Sequence, residues 1–288
     1  MSAAPSDVHG RISRLFIYPV KSCGGVELQE AVLTETGLEF DRAWMVVDEQ
    51  GEFVSQRELP RMALIVPKMR FHDMVLRAPG MLALHIALDA VEQPCKVRVW
   101  DDEVSAYDMG DTAAQWFSDF LGQKLRLARF DPDVRRLSSL QWTRGVEALN
   151  QFSDGYPLLV ASEASLDGLN ARLANAGHAP VGIERFRPNV VLVGVEAHDE
   201  DRLASLRIDT GDAPVELLPV KPCARCPIPN VDPATGQSSP AVGDALQAYR
   251  QDARLNGAVT FGMNVIVTAG LEQVLRVGQP VAGNYAFD

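Results

Sequence analysis

The sequence predicts a mainly β fold with a few helices packed on its outside, an α+β architecture overall. Many short apolar or alternating stretches follow one another in the first half, with turn residues at regular intervals between them, which is typical of a barrel or a sandwich. By contrast, only three stretches are predicted to be helical. With 288 residues, the chain is long enough to form one large domain or two ordinary ones.

The strands of the first half are predicted from apolar runs and from period-two alternation. Turn residues at 49–52 and at 101–103 join two pairs of these stretches into hairpins. The predicted strands cover residues 12–20 (ending at Pro19), 26–34, 43–48, 53–55, 64–66, 74–77, 82–88, 97–100 and 104–107.

The first helix is predicted at residues 111–121. Asp111 is a favourable N-cap residue, and Gly122 is a favourable residue directly after a helix. The apolar side chains of this stretch share one helix face, namely Ala113, Trp116, Phe117 and Phe120. Because the chain contains no flexible linker, this helix is the best divider, and we expect a domain boundary near residues 125–130.

The second half alternates buried strands with two helices. Ser162 is predicted to cap a helix whose leucines share one face and which ends near Gly177. Residues 131–153 are predicted to be irregular. The remaining predicted elements are strands at 158–161, 189–195, 206–208, 215–220, 259–267 and 274–281, and a short helix at 244–250.

Composition excludes several classes of function. The net charge of −11 and the sequence pI of about 5.0 argue against binding to nucleic acid or to an anionic membrane, because both need basic surfaces. We find no apolar run long enough for a membrane span and no targeting signal at the start. Four cysteines in a chain of this length indicate a reducing compartment, and we therefore expect a cytoplasmic protein.

The segment Pro222–Gly236, P-C-A-R-C-P-I-P-N-V-D-P-A-T-G, contains two of the four cysteines. Its four prolines predict a stiff, extended loop. A zinc half-site or a redox pair would explain C-x-x-C, but a structural zinc needs four ligands and no second such pair occurs. The alternative is a single functional thiolate at Cys226 or Cys223, and the guanidinium of Arg225 between them favours the thiolate form.

Cationic and hydroxyl residues also fall at predicted turns. Lys21–Gly25, K-S-C-G-G, follows a strand and can present backbone N–H groups, a hydroxyl and an ammonium to an anion, although G-G after a strand is also an ordinary hairpin turn. Arg42 starts a strand, where a surface ion pair with Asp41 or Glu39 is the alternative.

The sequence R-P-N opens another predicted strand. Arg187 is restricted by the following proline and has Asn189 two residues later, which suits recognition of a phosphate or a ring amide. The alternative is a solvated residue at the rim of a barrel. The five histidines are scattered, and no hydrolase, zinc-protease, Walker or dinucleotide motif is present.

Five motifs occur together in one order along the chain. They are Y-P-V-K-S-C-G-G at 18–25, D-R-A-W at 41–44, S-E-A-S-L at 162–166, F-R-P-N at 186–189, and P-C-A-R-C with V-D-P-A-T-G within 222–236. Together they resemble proteins with a MOSC domain preceded by an N-terminal β-barrel domain, the family of the mitochondrial amidoxime-reducing component and its bacterial relatives. The resemblance runs from about residue 9 to about residue 281.

This resemblance implies a fold and a cofactor. It implies an N-terminal tail (1–8), an N-terminal β-barrel-like domain (9–127) and a MOSC β-barrel domain (128–288). The cofactor would be Mo-molybdopterin without a nucleotide, with Cys226 as the molybdenum ligand and catalytic residue, because soft thiolates suit redox metals. The residues implied to hold the pterin and its phosphate are Lys21, Ser22, Arg42, Ser153, Asp154, Arg187, Asn189 and Arg225.

The resemblance also implies an activity, the reduction of small N-hydroxylated substrates such as amidoximes, hydroxylamines and N-hydroxylated bases. The chain ends at Asp288 without the cysteines of the iron–sulfur domain that some bacterial relatives carry, so we expect electrons from a separate ferredoxin, flavin reductase or cytochrome-b-type haem protein. Relatives often have hydroxyl residues at Pro229–Asn230 and at Gly155–Tyr156, two places expected on the substrate side.

Two other functions fit the same resemblance. MOSC domains also form the C-terminal part of molybdenum-cofactor sulfurases, so the chain could carry sulfur or bind the cofactor for sulfuration together with a pyridoxal-phosphate-dependent desulfurase. A non-catalytic cofactor carrier or interaction module is the third possibility. Metal analysis separates this third possibility from the enzyme, and turnover of benzamidoxime with a chemical reductant separates the reductase from the sulfuration module.

Overall fold

The structure, a computed structural model, describes residues 6–286. Its strands are β1 (Val8–Ile17), β2 (Val26–Leu28), β3 (Glu30–Thr34), β4 (Gly37–Leu38), β5 (Trp44–Val47), β6 (Val66–Met69), β7 (Asp73–Arg77), β8 (Leu84–Ala87), β9 (Gln93–Val99), β10 (Asp102–Asp108), β11 (Arg126–Phe130), β12 (Leu158–Ser162), β13 (Val190–Val193), β14 (Leu203–Ile208), β15 (Val215–Ala224), β16 (Gln251–Asp252), β17 (Ala258–Ala269), β18 (Val274–Arg276) and β19 (Pro280–Tyr285). The α-helices are α1 (Gly110–Leu121), α2 (Glu163–Asn175) and α3 (Ala241–Gln247).

Seven strands close into a barrel. They pair in the order β12-β13-β1-β19-β14-β15-β17, and antiparallel pairing of β12 with β17 closes the ring. Strand β1 comes from the first half of the chain but lies between β13 and β19. The prediction of a mainly β fold with peripheral helices is confirmed, and both ends of the described chain contribute to one barrel.

Apolar side chains from every barrel strand fill the barrel interior. Ile12, Leu158, Val190 and Val265 are each at most 1% exposed. Burial of one such side chain contributes about 1.5–3 kcal/mol, so this cluster is a main source of stability. It therefore holds the ends of the barrel strands, where the polar residues discussed below lie, in fixed positions.

The remaining strands of the first half form smaller sheets beside the barrel. One sheet has the order β5-β11-β10-β9, a second has β6-β7-β8, and a third has β18-β3-β4. Helix α1 covers the first of these through Trp116, Phe117 and Phe120, which pack against Trp44 and Leu127. Helices α2 and α3 pack together on the outside of the barrel through a separate apolar cluster.

Two of the predicted strands are each divided in the structure. Residues 26–34 form β2, which pairs with β1, and β3, which pairs with β18. Residues 274–281 likewise divide into β18 and β19, with Gly278 at φ +90° between them. In both cases the chain changes its partner strand in the middle, and period-two alternation does not reveal such a change.

Helix ends and two loops also differ in part from the predictions. Helix α1 begins at Gly110, so Asp111 lies in its first turn and is not the N-cap, whereas Gly122 has the expected left-handed φ of +77°. Ser162 caps α2 as predicted and accepts a hydrogen bond from the Ser165 amide at 3.1 Å. Leu64 ends a 3₁₀ helix instead of starting a strand, and the third helix lies at 241–247, three residues before its predicted place.

The segment Pro222–Gly236 is not entirely a loop. Strand β15 continues through Ala224 in antiparallel pairing with β17. Register shifts occur beside Pro219 and Pro222, which is how a strand accommodates residues that lack an N–H donor. The first cysteine therefore lies within a strand, and the second follows two residues after its end.

The domain boundary near residue 127 stays a prediction. The predicted tail of residues 1–8 lies mostly outside the described residues, and Val8 already belongs to β1. Within residues 6–286, no helix is long and apolar enough to cross a membrane.

Candidate functional site

One pocket, with a volume of about 220 Å³, lies where the two halves of the chain meet. It is bordered by the turn after β1, the segment before β12, the segment before β13, and the end of β15. All nine residues that the sequence analysis assigned to a site line this pocket, namely Lys21, Ser22, Arg42, Ser153, Asp154, Arg187, Asn189, Arg225 and Cys226. The fold thus brings them together, while their individual roles stay predictions.

Lys21 and Asp154 form an ion pair across the two halves of the chain. The buried Lys21 ammonium also donates to the Phe152 carbonyl oxygen at 2.8 Å, and the Trp100 indole N–H donates to Asp154 Oδ1 at 3.1 Å. Burial lowers the pKa of Lys21, although Asp154 opposes this effect. Desolvation raises the pKa of Asp154, but Lys21 and Trp100 outweigh it and hold that pKa below the usual range. Asp154 is therefore a carboxylate at neutral pH.

The Tyr18 ring lies against the two arginines of the motifs D-R and R-P-N. The guanidinium carbon of Arg42 is 4.5 Å from the ring centroid and that of Arg187 is 4.2 Å away. Arg42 pairs with Asp41 at 2.7 Å and also donates to the Arg187 carbonyl oxygen at 3.0 Å. The ion pair with Asp41 that the sequence offered as an alternative thus exists, but Asp41 is buried, and Arg42 lines the pocket as well.

Both arginines have left-handed backbone conformations, with φ +51° for Arg42 and φ +58° for Arg187. Such a conformation costs roughly 1–2 kcal/mol for a residue with a side chain. Arg187 follows a short 3₁₀ helix, and Pro188 removes the next backbone donor. Strain at two cationic residues of one pocket is typical of a functional site.

Two buried guanidinium groups have nitrogen atoms without a hydrogen-bond acceptor within residues 6–286. These atoms are one terminal nitrogen of Arg187 and Nε of Arg225. Burial and the neighbouring Arg42 lower the pKa of Arg187 to about 10, so the group stays charged at neutral pH. A buried, charged donor without a partner is costly, and an anionic ligand would remove that cost.

The two thiols of the C-A-R-C motif have different surroundings. Arg225 donates to Cys223 Sγ at 2.9 Å and to the Phe186 carbonyl oxygen at 3.0 Å. Of the two thiols that the sequence analysis offered as a thiolate, the guanidinium thus contacts Cys223. Both thiols line the pocket and are partly exposed to it. Within the described part of the chain, no group of three or more His, Cys, Asp or Glu could hold a metal ion.

The polar neutral residues of the site are mostly engaged with the backbone. The Asn189 amide accepts from the Leu159 N–H at 3.0 Å and donates to the Phe16 carbonyl oxygen at 3.2 Å, so it ties β12 to β1. The Ser153 hydroxyl donates to Asn150 Oδ1 at 3.1 Å. Asn189 therefore contributes to this pocket chiefly by fixing the strand that follows Arg187.

The expected substrate-side positions divide into two groups. Gly155 and Tyr156 line the pocket. Pro229 is buried, and Asn230 accepts from the Gly243 N–H at 2.8 Å. The structure therefore brings only the first pair to the pocket wall.

Several lining residues were missed by the sequence analysis, among them Arg57, Trp100 and Lys221. Trp100 occupies the turn between β9 and β10 with φ +56°, an unusual conformation for a bulky residue. The guanidinium carbon of Arg57 lies over the Trp100 ring, 4.5 Å from the ring centroid. None of the three belongs to a motif, although Lys221 directly precedes the P-C-A-R-C sequence and could have been included on that ground.

Comparisons with known proteins agree with this arrangement. The model of the MOSC N-terminal beta barrel domain matches residues 9–124, and that of the MOSC domain matches residues 148–282. Mitochondrial amidoxime-reducing component 1 of Mus musculus is 38% identical over 251 residues, which cover 84% of this chain and 72% of the relative. The human protein of the same name is 36% identical over 287 residues, covering 94% of this chain and 82% of the relative.

A further relative is the molybdenum cofactor sulfurase of Bos taurus, 30% identical over 257 residues. The match covers 83% of this chain but only 29% of that much longer protein. Since both family models match in sequence order and together cover most of the chain, this protein belongs to the MOSC family, with a MOSC N-terminal beta barrel domain followed by a MOSC domain, and is homologous to the mitochondrial amidoxime-reducing components.

Proposed function

We propose that this protein is a molybdenum-cofactor-dependent oxidoreductase that reduces N-hydroxylated substrates such as amidoximes, hydroxylamines and N-hydroxylated bases. The observation that carries the proposal is the convergence of Lys21, Arg42, Arg187 and the Cys223–Cys226 segment on one pocket. The names of the homologous amidoxime-reducing components support the substrate class.

The pocket has the donors that a molybdenum–pterin cofactor with a terminal phosphate requires. Arg187 and Arg225 have buried N–H groups without acceptors among the described residues, and a phosphate or a pterin ring supplies acceptors. Lys21 and Arg42 add cationic N–H donors from the first half of the chain, each paired with a carboxylate. The residues therefore fit the group, which would supply two-electron oxygen-abstraction chemistry when bound.

The roles of the chain's own residues follow from their chemistry. We assign Cys226 as the thiolate ligand of the metal, Lys21, Ser22, Arg42 and Arg187 to the phosphate, and Ser153, Asp154, Asn189 and Arg225 to orientation of the pterin. Asp154 keeps the Lys21 ammonium in place, and Asn189 fixes the backbone beside Arg187. Reduction of an N–OH group to N–H with release of water consumes two protons and two electrons, and the electrons would come from a separate donor protein.

Metal and pterin analysis, followed by turnover, tests this proposal. Protein produced in a molybdenum-replete host should contain about one molybdenum and one nucleotide-free pterin per chain, and should reduce benzamidoxime to benzamidine with a chemical reductant. Stoichiometric zinc without oxidised pterin fluorescence would contradict the cofactor assignment. A loaded protein that fails to reduce any amidoxime would contradict the activity.

The second candidate function is a sulfur-carrying or cofactor-sulfuration module that works with a pyridoxal-phosphate-dependent desulfurase. The homology to the molybdenum cofactor sulfurase of Bos taurus favours it. In that case, incubation with a desulfurase and cysteine should place a persulfide on the chain or a sulfido group on its cofactor, detectable by cyanolysis. The reductase proposal predicts benzamidoxime turnover without that treatment.

A further inference from the structure

The pocket is strongly cationic in a chain whose net charge is −11. Asp154 is the single carboxylate among the described residues that line the pocket. Six cations line the pocket, namely Lys21, Arg42, Arg57, Arg187, Lys221 and Arg225. Carboxylates pair with the first three, namely Asp154, Asp41 and Glu58. Within residues 6–286, the last three make no ion pair, so the described pocket holds positive charge in excess.

The guanidinium groups of two of these three cations contact other groups of the protein. Arg187 donates to the Cys23 carbonyl oxygen and lies over the Tyr18 ring. Arg225 donates to Cys223 Sγ and to a backbone carbonyl. Both are already assigned to the cofactor, and their positions beside the cysteine segment and the Tyr18 ring agree with that assignment.

Lys221 differs from both. Its ammonium nitrogen lies 5.1 Å from the centroid of the Trp142 ring and has no hydrogen-bond acceptor within residues 6–286. An ammonium has three N–H donors, and contact with a ring face leaves them available. Lys221 is half-buried and lines the same pocket as Cys223, two residues further along the chain.

The backbone around Lys221 is fixed, so its side chain starts from a defined place on the pocket wall. Its carbonyl oxygen accepts from Asn264 Nδ2 at 3.1 Å, which joins β15 to β17. Tyr156, another lining residue, packs in the apolar cluster that contains Val220. The side chain therefore starts near the cysteine segment, on a different element from the Lys21, Arg42 and Arg187 group.

We propose that the N-hydroxylated substrate of this pocket also carries an anionic group, such as a carboxylate, and that Lys221 binds it. This inference rests on the proposed reductase function and names its substrate class. A partly enclosed cation attracts an anion from solution and orients it, whereas a neutral substrate would offer the ammonium no charge-assisted hydrogen bond. Lys221 is thus a specificity-determining residue, separate from the groups assigned to the cofactor.

The experiment compares two benzamidoximes of nearly equal shape, one with a para-carboxylate and one with a neutral para-carboxamide. With the loaded protein and a chemical reductant, KM for the carboxylate should be about tenfold lower, the effect of one charge-assisted hydrogen bond. Added salt should reduce this preference in the wild-type protein, because it screens a partly exposed charge. Equal KM values at low salt would overturn the inference.

Three variants identify the source of the preference. In Lys221→Met, the ratio of the two KM values should approach one. Trp142→Leu removes the ring but keeps the ammonium, so the preference should persist; its loss in that variant would assign the effect to the loop and overturn the inference. Lys124→Met removes one exposed charge that pairs with Glu49, and it should leave the ratio unchanged.

A binding measurement separates this inference from the proposed function. Without a reductant no turnover occurs, and calorimetry then gives Kd for each benzamidoxime on the oxidised, loaded protein. Tighter binding of the carboxylate that depends on Lys221, without any turnover after reduction, would sustain the anion site and contradict the reductase. Turnover of both compounds with equal Kd values would support the reductase and contradict the anion site.

Discussion

The two thiols of the C-A-R-C motif differ in their contacts, and this difference can be tested residue by residue. Cys223 accepts a hydrogen bond from Arg225, whereas Cys226 lies after the end of β15 and is the ligand that the family resemblance implies. The contact with Arg225 distinguishes the two thiols, while the assignment of Cys226 as the ligand rests on the family resemblance.

Replacement of each thiol by a hydroxyl should therefore give unequal results. Cys226→Ser substitutes a hard oxygen for a soft thiolate and should abolish amidoxime reduction and change the molybdenum spectrum. Cys223→Ser should keep substantial activity, because it alters a contact with Arg225 and not a metal bond. Parallel assays of activity and metal content check this. An inactive Cys223→Ser beside an active Cys226→Ser would reverse the assignment, and two active variants would rule out a cysteine ligand.

Arg187 combines a strained backbone with a buried nitrogen that lacks an acceptor among the described residues. Arg187→Ala should lower cofactor binding by about 1.5–3 kcal/mol, the contribution of one charge-assisted hydrogen bond, with the fold retained. Molybdenum content and the far-ultraviolet circular dichroism spectrum measure the two effects. Arg207→Ala is the matched control, since it removes an exposed arginine paired with Glu216. Full occupancy in Arg187→Ala would show that this guanidinium does not hold the cofactor.

The Lys21–Asp154 pair should contribute to the pH dependence of stability. The pKa of Asp154 lies below its unfolded value, so the pair stabilises the fold above about pH 4 and loses this effect as the pH falls towards the folded pKa. Asp154→Asn should be less stable than the wild-type protein at neutral pH. Between about pH 4 and pH 2, the free energy of unfolding should fall less in this variant than in the wild-type protein. Urea denaturation at several pH values measures this, and parallel curves for the two proteins would contradict it.

At the scale of single elements, two glycines in or beside helices should respond oppositely to alanine. Gly122 ends α1 at φ +77°, and no atom of residues 6–286 apart from its chain neighbours would lie within 4 Å of an added Cβ. Gly122→Ala should therefore destabilise the fold by about 1–2 kcal/mol through backbone strain alone. Gly168 lies inside α2, and its nearest neighbour would be 3.8 Å from a Cβ. Gly168→Ala should therefore stabilise by roughly 0.5–1 kcal/mol. Denaturant midpoints check the signs, and equal signs would contradict the explanation.

At the scale of the whole molecule, the barrel and the pocket both need the two halves of the chain. Strand β1 lies between β13 and β19, and Lys21 and Arg42 reach the pocket from the first half. A fragment of residues 128–288 would expose two strand edges and should aggregate or fail to fold. Co-expression with residues 1–127 should restore a soluble, cofactor-binding protein.

This dependence is measured on the separate and the co-expressed halves by circular dichroism, solubility and molybdenum content. A fragment of residues 128–288 that is monomeric, folded and loaded with cofactor would contradict the shared barrel. It would also show that Lys21 and Arg42 are dispensable for binding.

The local features of this protein could be predicted from its residues alone. Ser162 at the start of α2 and Gly122 at the end of α1 act within one helical turn, so neighbouring residues suffice to identify them. The five motifs indicated the family, and the resemblance implied nine site residues that all line one pocket. Each of these inferences depends on residues close in the chain, or on a pattern that the family shares.

The contacts between distant groups and the directions of side chains became known only from the three-dimensional arrangement. Lys21 and Asp154 pair across 133 residues, and Trp100 reaches Asp154 from a hairpin turn that no motif marks. Arg225 donates to Cys223, and the Lys221 ammonium lies beside a ring with N–H donors that have no acceptor among the described residues. The physical reason is that strand pairing and barrel closure fix these contacts through the burial of an apolar core, whose long-range partners are not encoded in any local stretch of the chain.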